Sequence, residues 1–185
     1  MTDNVAALDH LPVGKKRIII CGKAGAGKDF LRHYYKMTCG VPVDVSYTTR
    51  TMRPGECDGV HYRYVTMESF DLLLAKDAFH EHVYFKQNHY GTLRTSWDTS
   101  YIFIMSPSGI AQLSSEDRLS AVVIYLDIDQ ATRRERLEKR VDNDAIRRVI
   151  ADEADFANFD DYDIRVQNGL FKCNDIVKRV MAYQQ

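Results

Sequence analysis

The chain has 185 residues, 45% of them hydrophobic, which is enough for one sizeable core and too few for two ordinary independent domains. Its 25 basic and 26 acidic residues leave a net charge of −1, so no global field draws it to nucleic acid or an anionic membrane, and any anion site must be local. Four scattered cysteines, Cys21, Cys39, Cys57 and Cys173, form no CxxC pair and follow no secretory apolar region. The longest apolar runs fall far below the ~20 residues that span a bilayer, so a soluble, reduced, cytoplasmic protein without membrane or nucleic-acid partners is expected.

Residues 1–14 carry no sustained pattern. Arg17 to Cys21 (RIIIC) is a β-branched run that enters glycines directly, as a buried parallel strand enters a loop. Phe30 to Met37 has apolar residues at helical spacing and is ended by Gly40 and Pro42. Ser46 to Trp97 breaks this rhythm with alternating aromatics and polars, the turn pairs Pro54-Gly55 and Asp58-Gly59, and one helix near Glu68 to Leu74. It reads as a β-rich lobe inserted between the second and third core strands. Tyr101 to Met105 and Ala121 to Leu126 are again short apolar strands, followed by predicted helices at Ser108 to Leu113 and Gln130 to Arg140. Ala145 to Phe159 and Phe171 to Ala182 read as the last helices, with a strand at Ile164 to Val166 between them. The alternation predicts an α/β fold: a mostly parallel core sheet flanked by helices, in a single domain. The core would take residues 15–45 and 99–185, the lobe 46–98, and a short helical lid 133–150.

Gly22-Lys23-Ala24-Gly25-Ala26-Gly27-Lys28 fits GxxxxGK between a predicted strand and a predicted helix. Glycines let successive backbone N–H groups turn toward phosphate oxygens, the helix start adds partial positive charge, and Lys28 adds a full one. The next position usually carries a hydroxyl for Mg²⁺; here it is Asp29, a carboxylate able to ligate the same ion or simply to favour the helix start.

In the lobe, Val45-Ser46-Tyr47-Thr48-Thr49-Arg50-Thr51-Met52-Arg53-Pro54-Gly55-Glu56 sets two guanidinium forks three residues apart, suited to a dianionic phosphate. With Gly59, Tyr62, Phe79-x-Glu81, Tyr90-Gly91-Thr92, Arg136-Leu137-Glu138-x-Arg140 and Tyr162-Asp163, the chain from Arg17 to Asn168 resembles the guanylate kinase family. The resemblance implies the P-loop nucleoside monophosphate kinase fold and Mg²⁺-dependent transfer of a phosphoryl group from ATP to GMP or dGMP, by a monomer or homodimer. It also implies roles. Gly22, Ala24, Gly25, Ala26, Gly27, Lys28, Asp29 and Asn168 would hold ATP. Arg50, Arg53, Tyr62 and Tyr90 would grip the acceptor phosphate, with Gly91 and Thr92 beside the base. Ser46 would read O6 of guanine, and Glu81 its N1 and exocyclic amine. Arg136, Arg140 and Arg148 would neutralise charge during transfer, with Lys28 and Arg50. Taken alone, Arg136 and Arg140 read as a solvated helix face paired with Glu135 or Glu138, the usual outcome for such a run. The six histidines show no metal-ligand spacing, and Tyr34 and Tyr35 read as helix packing.

The family ends its third core strand with Asp-x-Asp, but here Ile104 and Ser106 hold those places, so Ser106 keeps at most one hydrogen bond to the base. Asp127-Ile128-Asp129 mimics the lost motif on the next strand, where Asp129 is expected as a helix cap. Asp29 is the expected replacement for the acid absent at Ile104. Two other readings share these features: ribose 1,5-bisphosphate phosphokinases, which carry GKD in the loop, and scaffold domains of this fold, which bind phosphorylated peptides without ATP. The intact arginine stretch with Glu81 suits a base that a sugar bisphosphate lacks, and the intact loop argues against a scaffold.

Overall fold

A computed structural model of the chain describes residues 17–139 and 154–182. Its centre is an all-parallel sheet in the order β6-β1-β7-β8, formed by β1 (Arg17–Gly22), β6 (Ile102–Ile104), β7 (Ala121–Leu126) and β8 (Ile164–Val166). Alternate residues of β1 and β7 face opposite layers. Ile18, Ile20, Val122 and Ile124 meet Leu31 and Tyr35 of α1 (Lys28–Cys39) on one side, together with Cys173, Ile176 and Val180 of α7 (Cys173–Ala182). Ile19, Cys21, Val123 and Tyr125 meet Trp97, Ile110 and Phe156 on the other. A sheet covered on both faces needs apolar residues at every strand position, which is why these strands read as unbroken runs. Each fully buried isoleucine contributes roughly 1.5–3 kcal/mol.

A second sheet, in the order β3-β2-β5-β4, forms the lobe from β2 (Tyr47–Thr48), β3 (Arg63–Tyr64), β4 (Phe79–Phe85) and β5 (Asn88–Leu93). Helix α2 (Met67–Ala75) is capped by the Thr66 side chain, which accepts from the Ser69 N–H, and buries Phe70 against Phe79 at 4.3 Å. A further helix, α3 (Arg94–Thr99), was not expected; it carries Trp97, which pins lobe to core. The Arg17 guanidinium sits 4.4 Å from the centre of that ring, His80 stacks on it at 4.3 Å, and its Nε1 donates to Asp117 at 2.9 Å.

The second core strand shrinks to one parallel bridge, Val43 to Ile102, at the sheet edge. The helix expected at Ser108 to Leu113 is instead α4 (Pro107–Ile110), and a separate α5 (Ser115–Leu119) begins at the Ser114 cap. The Ser106 hydroxyl caps α4 and the Ser114 hydroxyl caps α5, so two short helices replace one. Asp129 caps α6 (Gln130–Glu138) by accepting from the Thr132 N–H at 2.8 Å, as expected. Most of the helix expected at Ala145 to Phe159 lies outside the described residues.

Candidate active site

The loop after β1 turns through Gly25 at φ 79° and reaches α1 through Gly27, its cap, at φ 103°. A Cβ on Gly25 would stand 2.7 Å from the Arg133 carbonyl, so a side chain there meets both a strained backbone and a wall. Lys28, the first residue of α1, folds its ammonium back over the loop and donates to the Gly22 and Lys23 carbonyls at 2.5 and 3.1 Å. Asp29 follows on the exposed side of the first turn, with a 3.7 Å ion pair to Arg32. Arg136 does not join the surface pairs of its helix. It donates to the Gly25 and Ala26 carbonyls at 3.0 and 3.2 Å, and to that of Gly169. The solvated pairs are Arg134 with Glu138 and Lys139 with Glu135. Arg133, only 2% exposed, donates to the Ile128 carbonyl at 3.0 Å and braces the loop from behind. Sequence reasoning missed it, although its spacing of four from buried Leu137 gave the signal.

Across from the loop, Arg50 leaves the end of β2 with its N–H on the Thr48 hydroxyl, which itself donates to the His89 carbonyl. Its guanidinium forms a two-pronged pair with Glu56 at 2.9 and 2.9 Å. Glu56 also accepts from the Arg53 N–H at 2.8 Å and the Tyr64 hydroxyl at 2.7 Å. Burial alone would raise its pKa, but these donors outweigh it and hold Glu56 down at about 2. The rings of Tyr62 and Tyr64 lie 5.4 and 5.6 Å from the Arg50 guanidinium, and Tyr90 meets Tyr62 edge-on at 5.9 Å. Glu56, unassigned from sequence, is therefore the clamp that orients both arginines.

The third wall holds a buried carboxyl. Glu81 of β4 is 6% exposed, and burial, reinforced by the charge of Asp44 and only partly opposed by Thr92, pushes its pKa up to about 7. A Cβ on Gly109 would stand 2.8 Å from Glu81 Oε2, so this glycine is what lets α4 approach the acid. The Ser106 hydroxyl accepts from the Gly109 N–H at 3.2 Å and lies 2.9 Å from the Ser108 hydroxyl, so it is already committed to its helix. Thr92 is fully buried behind this wall.

One cavity of about 220 Å³ brings the three walls together. Gly22, Ala24, Gly25, Lys28 and Asp29 line it from the loop; Ser46, Arg50, Arg53, Tyr62, Glu81, Tyr90 and Gly91 line it from the lobe, with Ser106 at the strand end. Ile104 lines it too, so Asp29 and the position of the lost acid face the same space. Asp155 and Phe156 also line it and had no sequence signal. Ala26, Gly27, Thr92 and Arg136 adjoin cavity-lining residues without lining it; Asn168 does not line it either and is exposed, its side chain accepting from the Leu170 N–H at 2.9 Å. Arg140 and Arg148 lie outside the described residues. No group of three or more His, Cys, Asp or Glu able to hold a metal occurs among the described residues. Nor do they include a helix long and apolar enough to cross a membrane.

A phosphate loop on a parallel sheet, facing an arginine-bearing lobe, defines a P-loop α/β protein with the nucleoside monophosphate kinase fold. A guanylate kinase from Anaplasma phagocytophilum superposes with a TM-score of 0.65 at 20% identity, covering 94% of this chain and 86% of that one. The sequence model of the guanylate kinase family matches residues 14–183. The guanylate kinase of Aliivibrio fischeri is 32% identical across 83% of this chain and 80% of its own length. That of Anaeromyxobacter dehalogenans is 32% identical across 100% of this chain and 84% of its own. The chain belongs to the guanylate kinase family.

Proposed function

We propose that the protein transfers the γ-phosphoryl group of ATP to the phosphate of GMP or dGMP. The observation that carries this reading is the single cavity in which Lys28, the Arg50 and Arg53 pair, and buried Glu81 face one another. The loop N–H groups and Lys28 would hold the donor phosphates. Arg50, Arg53, Tyr62 and Tyr90 would hold the acceptor phosphate for in-line attack by one of its own oxygens, so no protein nucleophile is needed. Arg136, anchored on the loop carbonyls, would swing its charge to the transferring group, aided by Arg140 and Arg148. Glu81 would accept the N1 and exocyclic N–H groups of guanine, a donor pair adenine lacks, with Ser46 at O6 and Gly91, Thr92 and Ser106 shaping the base site. Asn168 would flank the ATP base. Core residues 15–45 and 99–185 and lobe residues 46–98 would bound the cavity from its two sides, and residues 133–150 would form the lid. Four free cysteines suit a reducing, cytoplasmic setting, and each chain of a monomer or homodimer carries its own loop and lobe.

Mg²⁺ commonly binds through one or two carboxylates plus substrate phosphates, and Asp29, half-exposed in the cavity beside Lys28, fits that need. When bound, the ion would neutralise charge on the phosphate oxygens. Asp29→Ser is therefore expected to lower turnover about tenfold, with partial recovery as Mg²⁺ is raised, because mass action offsets weakened affinity. Wild-type turnover at low Mg²⁺ in this variant would reduce Asp29 to a residue favouring the helix start.

The reaction is tested with a coupled ADP assay over GMP, dGMP, AMP and ribose 1,5-bisphosphate; ADP release confined to the last would overturn the assignment. The pH dependence follows from Glu81. Guanine needs its ionised form, and its pKa is pushed up to about 7, so kcat/KM for GMP should rise as pH rises through 7. At pH 6 it should stand at about one-tenth of the plateau, because the ionised fraction falls about tenfold per pH unit below the pKa. Glu81→Gln should erase that limb and narrow the preference for GMP over AMP. A limb unchanged in the variant would assign the titration to another group.

A further inference from the structure

Asp44 lies immediately behind the base wall and has no assigned role. It is 3% exposed, and its Oδ2 stands 2.5 Å from the Ser46 hydroxyl, the oxygen placed at the 6-position of the base. Its other oxygen, Oδ1, has no hydrogen-bond partner among the described residues. We propose that Asp44 is a specificity-determining positioning residue that acts through Ser46, setting whether that hydroxyl offers a proton or a lone pair to the 6-substituent of the acceptor base. This rests on the reading of Ser46 and Glu81 as the base-reading groups.

A serine hydroxyl has one proton. With Asp44 ionised, the Ser46 hydroxyl points its proton at Oδ2 and donates a hydrogen bond to it, and a separation of 2.5 Å is what a hydroxyl-to-carboxylate bond shows. Ser46 then presents only lone pairs to the cavity, which repel a 6-oxo group and accept from a 6-amino group. With Asp44 protonated, its own O–H donates to Ser46, whose proton turns toward the base and suits guanine. The groups facing Asp44 decide between these states. Burial raises its pKa most strongly, while the Ser46 hydroxyl, the Ser96 hydroxyl on α3, Arg32 on α1 and the Val45 backbone oppose that rise. The Ser96 hydroxyl lies near without meeting Oδ1 in hydrogen-bond geometry. Arg32 spends one nitrogen on the Asp44 carbonyl at 3.3 Å and the other on the Val60 carbonyl at 3.2 Å, rather than on the carboxyl itself. Glu81, on β4, feels the charge of Asp44. Two carboxyls in one buried volume resist ionising together, and guanine needs Glu81 as the charged one. The guanine-binding state therefore holds one proton on the pair, and it sits on Asp44.

Removing that last proton by raising pH should turn Ser46 into an acceptor. In the wild type, the ratio of kcat/KM for GMP to that for AMP should climb with Glu81 and then fall about tenfold once Asp44 in turn ionises, the worth of one hydrogen bond. Asp44→Asn keeps the shape, cannot ionise and can donate an N–H to Ser46, so its ratio should climb and hold. IMP shares the 6-oxo group and N1–H of GMP but lacks the amine, so the GMP to IMP ratio should be the same in both proteins. In a Ser46→Ala background, Asp44→Asn should change no ratio further, because the hydroxyl that transmits its effect is gone. Parallel GMP to AMP profiles in wild type and Asp44→Asn, measured below the ionisation of guanine N1, would overturn the proposal. So would a shift in the GMP to IMP ratio, which would place Asp44 against the amine directly. If Ser46→Ala and Glu81→Gln also left the GMP to AMP ratio at the wild-type value, the base-reading site itself would be wrong, which separates the two failures.

Discussion

Lys28→Ala is expected to cut turnover by several orders of magnitude while leaving the fold intact. The ammonium lies over the loop on the Gly22 and Lys23 carbonyls, so its charge is already held where the donor phosphates would sit. Little reorganisation is needed when phosphate oxygens compete for it. A preorganised charge aimed at the transferring group is worth ~3 kcal/mol or more of transition-state stabilisation, and alanine forfeits all of it. Folding is a separate matter. Lys28 is the first residue of α1, the cap is the backbone of Gly27, and alanine is the strongest helix former. Thermal melting should therefore show a near-native midpoint beside the collapse in turnover. A variant that kept more than half of wild-type turnover would dissolve the phosphate-loop assignment.

The phosphate loop was legible because its signals are local: an unbroken β-branched run, glycines, then a lysine at a helix start. The same holds for β7, whose six consecutive apolar residues announce a strand buried on both faces. The lobe's arginines were legible as a pair, but their geometry was not. Glu56 stands three residues beyond Arg53 across the Pro54-Gly55 turn, and only the folded turn brings its carboxylate to the Arg50 fork and the Arg53 N–H at once. Arg133 looked like one more member of a charged helical run. Its burial follows from sharing a face with Leu137, and the loop backbone that covers that face is over a hundred residues away in sequence. Helix α3 was hidden because its six residues include few apolar ones, and its order comes from Trp97 meeting Arg17 and His80. Asp44 was invisible for a related reason. An acid between two valines on a short edge segment looks solvated until the lobe closes over it.

Arg50→Ala is the counterpart on the acceptor side, and its expected effect is a rise of about 100-fold in KM for GMP with the ATP titration nearly unmoved, since a two-pronged charged hydrogen bond is worth ~1.5–3 kcal/mol. The separation of effects comes from the cavity, which has Arg50 on the lobe wall and Lys28 on the loop wall. Arg53→Ala should act in the same direction but less, because Arg53 is more exposed and stands 3.7 Å from Glu56 where Arg50 stands at 2.9 Å. The variant should also alter acid stability through Glu56. In the wild type its pKa is held down at about 2 in the folded state, against 4.5 for the free side chain, so its stabilising contribution is complete above 4.5 and lost as pH falls toward 2. Without Arg50, Glu56 keeps the Arg53 N–H and Tyr64 hydroxyl but loses both guanidinium bonds, so its folded pKa climbs back toward the ordinary range. Less stability then remains to be lost in acid, and the fall in melting temperature between pH 5 and pH 3, a window of about two units around the free carboxyl value, should be shallower than in the wild type. If Arg50→Ala instead shifted the ATP titration as much as the GMP titration, the lobe would not be the acceptor site, and the arginine pair would belong to the donor.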